Sequence, residues 1–123
     1  MAKKILVVED VNFLQKAMKE VLEDAGFEVL TASNGEEGLE RALKKHPDLI
    51  ILDILMPKMN GMDMLKQLRQ DSWGKNVPAI ILTNLSSKEK LVEAEKENVE
   101  YFVKSDWEID EIVDLVNNKL DNS

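Results

Sequence analysis

The chain contains no cysteine, only three prolines and five glycines, and aromatic residues at just 5% of its 123 positions. Without cysteine there is no disulfide, no thiolate nucleophile and no Cys-based zinc or iron–sulfur site, a composition that fits a reducing cytoplasm. The Pro and Gly residues are scattered, so no Pro/Gly/Ser linker divides the chain, and neither repeats nor low-complexity tracts interrupt it. Positive charge is also short: 16 Lys and Arg face 24 Asp and Glu, a net charge of −8. A sequence-independent grip on a phosphate backbone needs clustered positive charge, so no direct nucleic-acid binding is expected. Apolar runs stay well below the ~20 residues that cross a bilayer, so no membrane insertion is expected either. One core is expected, since a chain of this length buries roughly two-thirds of its unfolded surface.

What is present is an alternation. Short apolar runs rich in branched residues exchange with segments of helical period, the pattern of a parallel sheet covered by helices. Five runs are predicted as strands: Lys4 to Glu9, Phe27 to Ala32, Leu49 to Asp53, Ala79 to Thr83 and Tyr101 to Lys104. Three are near-continuous Val, Ile and Leu, as strands buried on both faces should be. Met1 to Val8 carries charge and a short apolar stretch but runs into Glu9-Asp10, so it reads as a first strand and not as an export signal.

The helices have predicted starts and stops. Asn12 is expected to cap the first, with Gln15 reaching back, and Gly26 to stop it. In the second, Ser33 stands three residues before Glu36, and Lys44-Lys45-His46 closes it before Pro47. A third follows Gly61 with Met62, Leu65 and Leu68 facing inward. The fourth follows Ser86 and Glu89 and has the weakest apolar stripe. The last has Ser105 and Glu108 as an S-x-x-E capping box before Ile109, Ile112, Val113, Val116 and Leu120. Met56, Met59, Met62 and Met64 read as gap fillers of the core. His46, the only histidine, reads as a charge partner for a helix C-terminus. The three residues after Leu120 are expected to be too few to act as a tether.

Five βα rounds predict an α/β fold, a (βα)5 doubly wound parallel sheet, whose ligands sit beyond the carboxyl ends of the strands where strand order reverses. Four strand ends carry polar groups: Glu9 and Asp10, Asp53, Thr83 and Lys104. Each alone has an ordinary explanation: acidic residues open helices, Asp ends strands, Thr favours strands, and Lys is a solvated terminal charge. Converging at one rim, three carboxylates repel and call for a cation. An oxygen-only cluster without His or Cys suits a hard ion, and Mg²⁺ is the usual choice where carboxylates share it with phosphate and water. One Mg²⁺ and Lys104 would balance the three carboxylates.

Taken in order, Glu9-Asp10, Asp53-Ile54-Leu55-Met56-Pro57-Lys58-Met59-Asn60-Gly61, Thr83 and Lys104 resemble the receiver domain of two-component response regulators, in particular a stand-alone receiver of the chemotaxis-regulator type. The resemblance covers essentially the whole chain and implies a single receiver domain over residues 1–123, with a flavodoxin-like five-stranded sheet in the order 2-1-3-4-5. It also implies that Asp53 accepts a phosphoryl group from a sensor histidine kinase or phosphotransfer protein. Mg²⁺, or Mn²⁺, would be held by Asp10, by Glu9 directly or through water, by Asp53 and by the backbone carbonyl of Leu55. Thr83 would donate its hydroxyl to one phosphoryl oxygen, Lys104 would pair with another, and Tyr101 occupies the position of the family's switch aromatic. The chain would catalyse its own phosphorylation and slow dephosphorylation without conventional substrate turnover. Output would pass to a downstream protein through the fourth helix, fifth strand and fifth helix, from a cytoplasmic monomer or phosphorylation-dependent dimer. Four positions depart from the family pattern. Ser105 follows Lys104 where a Pro joined by a cis peptide is usual, Asn84 follows Thr83 where a small residue is common, and Leu55 and Leu85 are apolar where the family tunes hydrolysis.

Other functions fit less well. A flavodoxin-like electron carrier needs a Ser, Thr and Gly-rich phosphate loop after the first strand, where Glu9-Asp10-Val11-Asn12 would repel the phosphate. No G-x-x-x-x-G-K-[ST] is present for an NTPase. A haloacid-dehalogenase-type phosphatase wants a second Asp where Leu55 stands. The remaining alternative is a receiver-like interaction module that binds partners independently of phosphorylation. Such a module would be expected to lose an acidic or Lys position, and none is lost.

Overall fold

Leu49 to Leu52 contains nothing polar, and a strand of that kind is stable only with both faces covered. In the computed structural model, which describes residues 2–121 apart from Ser86 and Asn98, it lies at the centre of a five-stranded sheet. The strands are β1 (Lys4–Val8), β2 (Glu28–Ala32), β3 (Leu49–Leu52), β4 (Ala79–Thr83) and β5 (Glu100–Val103). They alternate with α1 (Asn12–Asp24), α2 (Gly35–Lys45), α3 (Gly61–Leu68), α4 (Lys88–Lys96) and α5 (Ile112–Asp121). The sheet is parallel in the order β2-β1-β3-β4-β5. Leu6 pairs with Leu30 on one side and Ile50 on the other, so strand order reverses between β1 and β3.

Side chains of successive strand residues point to opposite faces, and two cores result. Leu6, Val8, Ile50, Leu52 and Ile81 pack against Ala42, Met62, Leu65, Leu68 and Ala94, so α2, α3 and α4 cover one face. Ile5, Val7, Leu49, Ile51 and Ile80 pack against Met18, Leu22, Ile112, Leu115 and Val116, so α1 and α5 cover the other. Each fully buried Leu or Ile contributes roughly 1.5–3 kcal/mol. Met62 and Met64 are buried, with Met56 and Met59 packed half-buried around them. Helix α4 is held most lightly, burying only Ala94 and leaving Leu91 and Val92 exposed.

Several predicted helix ends shift by a residue or more. Val11 precedes α1, and Asn12 makes no cap. Gln15 does not reach back to it; its amide donates to the carbonyls of Glu9, at 2.9 Å, and Ala32, at 3.0 Å, tying the ends of β1 and β2 together. Gly26, at φ 97°, ends α1 as expected. Asn34, not Ser33, caps α2 by accepting from the Glu37 N–H. Asn60 does the same for α3 through Asp63. Ser87 caps α4 through Lys90, and the predicted start at Ser86 lies outside the described residues. His46 closes α2 in the left-handed region and stacks on Trp73 with ring centroids 4.2 Å apart. The Ser105–Glu108 box does not form. Two 3₁₀ turns, Lys104–Asp106 and Ile109–Glu111, precede α5, and the Glu111 carboxylate accepts from the Glu108 N–H, one turn later than predicted. The Lys104–Ser105 bond is trans, there being no cis peptide among the described residues.

Candidate functional site

The reversal of strand order places the ends of β1 and β3 side by side. The Asp53 N–H donates to the Val8 carbonyl at 3.1 Å, and the Glu9 N–H donates to Ala32 at 3.0 Å, so both acidic residues are fixed by the sheet just beyond its last paired residues. Asp10 follows on the loop to α1. Carboxylate oxygens of Glu9, Asp10 and Asp53 lie within 4.8 Å of one another. Glu9 and Asp53 are buried, at 1% and 5% exposure, and Asp10 is half-buried.

Lys104 arrives from the end of β5 and crosses the site. Its Nζ donates to Asp53 Oδ2 at 2.7 Å and to Glu9 Oε1. Burial pushes the Glu9 carboxyl above its ordinary range, and the nearby Asp53 charge adds to this, although Lys104 opposes both. For Lys104 itself burial works against the ammonium. The hydrogen bonds to Asp53 and Glu9 prevail, and its pKa is raised. Three carboxylates against one ammonium leave two negative charges uncompensated, which suits a divalent hard cation with an all-oxygen donor set.

The remaining polar groups are held by the loops. Asp53 Oδ1 accepts from the Leu55 N–H at 3.1 Å, while the Leu55 side chain is half exposed. Thr83 is fully buried at the end of β4, and its Oγ1 accepts from the Leu85 N–H at 3.2 Å. The Tyr101 hydroxyl donates to the Leu85 carbonyl, joining β5 to the loop before α4. Burial, then the charge of Asp53, raises the Tyr101 pKa. Asn84 is exposed and lines a cavity of about 260 Å³ between α1 and α5 that also touches Lys104 and Trp107.

Gly61 decides how closely the β3–α3 loop folds over the site. A Cβ there would lie 2.1 Å from the Asp53 carbonyl oxygen, a contact no side chain tolerates. Its N–H returns to the Ile54 carbonyl at 3.1 Å. In the sequence Gly61 stood only as the start of the third helix and the last residue of the Asp53 to Gly61 motif. Gln15, too, has a role that no local pattern announces, because its partners lie on two different strands.

The structure thus brings Glu9, Asp10, Asp53 and Lys104 together, sets Thr83 on the neighbouring strand and leaves Tyr101 one bond away from the loop that follows it. A five-stranded parallel sheet in this order, with acidic residues at the β1 and β3 ends and a lysine at the β5 end, defines the class of flavodoxin-like signalling receivers. The profile of the response regulator receiver domain matches residues 5–117, and the chain belongs to that family. It is 30% identical to the chemotaxis protein CheY of Thermotoga maritima over 118 residues, 95% of this chain and 97% of that protein. Over 70 residues it is 49% identical to the alkaline phosphatase synthesis transcriptional regulatory protein PhoP of Bacillus subtilis, 57% of this chain but only 29% of that regulator's length. Among solved structures, the CheY-like receiver domain protein of Methanospirillum hungatei superposes with a TM-score of 0.92 at 26% identity, covering 99% of this chain and 96% of that one. The chain is therefore a receiver domain of two-component systems, a family that interacts with histidine kinases or phosphotransfer proteins and typically uses Mg²⁺ at its acidic pocket. None of the described helices is long and apolar enough to cross a membrane.

Proposed function

We propose that the chain is a single, cytoplasmic receiver that takes a phosphoryl group onto Asp53 from a histidine kinase or phosphotransfer protein, in a Mg²⁺-dependent reaction. The observation that carries this reading is the Glu9–Asp10–Asp53 cluster with Lys104 laid across it. An ionised carboxylate attacks phosphorus directly; the bond to the donor breaks, the leaving group departs with the electron pair, and Asp53 becomes an acyl phosphate. Beyond positioning, little chemistry is asked of the protein. Asp10, Asp53, Glu9 and the Leu55 carbonyl would hold the metal, which when bound neutralises charge shared between the carboxylate and the phosphoryl oxygens. Thr83, whose hydroxyl proton is free to be donated because its oxygen already accepts from Leu85, would take one phosphoryl oxygen. Lys104 would turn from Glu9 and Asp53 to another. Both contacts exist only once the phosphoryl group is in place, and that differential is what biases a two-state switch. Tyr101 is the expected relay to the α4–β5–α5 face, since it is bonded to the loop that begins at Thr83.

The test is intact-mass spectrometry after incubation with acetyl phosphate, with and without Mg²⁺, on the wild type and Asp53→Asn. An adduct of one phosphoryl group that requires both Mg²⁺ and Asp53 is expected. Equal incorporation in Asp53→Asn would move the acceptor elsewhere. Bound Mg²⁺ without any adduct, together with no response to beryllofluoride, would favour a module that acts independently of phosphorylation.

A further inference from the structure

The mouth of the site carries a second lysine that the proposed chemistry leaves unused. A cleft of about 370 Å³ opens between the β3–α3 loop and the start of α4, with Asp10, Leu55, Leu85 and Lys90 among its walls. Asp10 and Lys90 are the only ionisable groups lining it among the described residues. Leu55 and Leu85 bring no charge or side-chain hydrogen bond to this entrance. With Mg²⁺ and Lys104 the three carboxylates would be just balanced, so an arriving phosphoryl dianion brings two negative charges that the site has no surplus cation to offset. A cation at the outer lip offsets part of that charge.

Lys90 is also held in a way that lets it leave. Its Nζ pairs with Glu93 Oε1 at 3.2 Å, while the other oxygen of Glu93 is taken by Lys66 of α3 at 3.1 Å. When Lys90 swings away, Glu93 keeps a cationic partner, so the move strands no charge. The Lys90 side chain is one-third exposed, in the first turn of the most lightly packed helix.

We propose that Lys90 is the donor-binding residue of this receiver: it exchanges Glu93 for the phosphoryl oxygens of the arriving donor and holds them at the cleft while Asp53 attacks. The inference rests on Asp53 being the acceptor. With acetyl phosphate as the probe, the bond between phosphorus and the acetyl oxygen breaks, acetate leaves with the electron pair, and the Asp53 oxygen–phosphorus bond forms. Lys90 only positions and neutralises.

Rates of uptake from acetyl phosphate in saturating Mg²⁺ should be measured over a range of donor and salt concentrations for wild type, Lys90→Ala, Lys90→Gln, Lys90→Arg and Lys88→Ala. Lys88→Ala removes the same charge from the same helical turn, outside the cleft. Lys90→Ala and Lys90→Gln should lower the second-order rate roughly fivefold, as expected for loss of one steering charge. Their donor concentration for half-maximal rate should rise more than their limiting rate falls, and their salt dependence should flatten. Lys90→Arg should restore most of the rate, and Lys88→Ala should match the wild type. Wild-type rates and salt slopes in both Lys90 variants would overturn the inference and leave the receiver reading intact. An equal loss in Lys88→Ala would also overturn it, since net charge and not the cleft would be responsible. Absence of Asp53-dependent uptake in the wild type would remove both.

Discussion

Burial and charge pull against each other at Glu9 more than at any other acidic residue of the site. Its carboxylate is almost wholly enclosed, which raises its pKa, and the Lys104 ammonium, with a lesser share from the Val11 N–H that donates to Oε2 at 3.2 Å, makes the charged form tolerable. Asp10 differs: it adds a third negative charge to the cluster, and among the described residues no salt bridge reaches it. Like charges about this far apart repel by roughly 1 kcal/mol each even at a water-like dielectric. The site is therefore strained electrostatically for the sake of its ligand, a common trade between stability and function. Asp10→Asn should melt several degrees higher than the wild type in the absence of metal, because the repulsion is relieved while nothing else is lost. The wild type should gain thermal stability on adding Mg²⁺ by mass action, and Asp10→Asn should gain little. Paired thermal melts with and without Mg²⁺ check both; a wild type and variant with the same response would take Asp10 out of the metal site.

At the scale of elements, local signals and long-range packing compete. Ser105 and Glu108 have the spacing of a capping box, yet Lys104 must reach back to Asp53 and Glu9, and that draws Lys104–Asp106 into a 3₁₀ turn. The cap moves to Glu108 and Glu111 as a result. Ser105→Ala should then be nearly neutral, whereas Glu111→Ala should cost about 0.5–1 kcal/mol, the usual worth of such a cap; urea unfolding separates the two. The same competition explains which parts of the structure could be read from the sequence. Strand identity was legible because Leu49 to Leu52 and Ala79 to Leu82 are apolar throughout, and the cluster was legible because Glu9, Asp53, Thr83 and Lys104 each stand at or just past the end of such a run. Caps were not, because Ser33 and Asn34 are equally good candidates locally and the register of α2 on the sheet chooses Asn34. Nor was Gln15, whose partners are set by β1 and β2 lying side by side.

The contact between α3 and α4 is likewise invisible in either helix alone. Glu93 joins them through Lys66, and its hydrogen bonds to Lys66 and then Lys90 hold its carboxyl below the ordinary value of 4.5. A depressed carboxylate contributes stability above its unfolded pKa and loses it as pH falls through the folded one. The melting advantage of wild type over Glu93→Gln should be present at neutral pH, shrink below about pH 4.5, and shrink also at high salt. Both pairs are exposed enough to be screened, so the advantage is small. A gap that persisted unchanged to low pH would show that Glu93 acts through packing and not charge.

For the molecule as a whole, the sheet separates two cores, and the proposed relay through Tyr101 belongs to one of them. Tyr101 and Leu85 pack against the core beneath α2, α3 and α4, the same core that Ala94 of α4 enters. Phe102 and Trp107 lie on the other side, edge to face at 5.3 Å. Lys104 stands at the junction, bonded to β1 and β3 through their acidic ends while its backbone begins the turn that leads to α5. Under the proposed function, binding energy at Asp53 can shift the α4–β5–α5 face only through groups whose contacts differ between the two states, and Lys104, just past the end of β5, is the one that touches Asp53 directly. Lys104→Ala should accordingly still incorporate phosphoryl on Asp53, more slowly, because the carboxylate and its metal ligands remain. Hydrogen exchange at α4 and β5, which should change on phosphorylation of the wild type, should stay at its resting value in the phosphorylated variant. If exchange responded in Lys104→Ala as in the wild type, the signal would have to travel through Thr83 and the Leu85–Tyr101 bond alone, and Lys104 would serve only to balance the charge of the site.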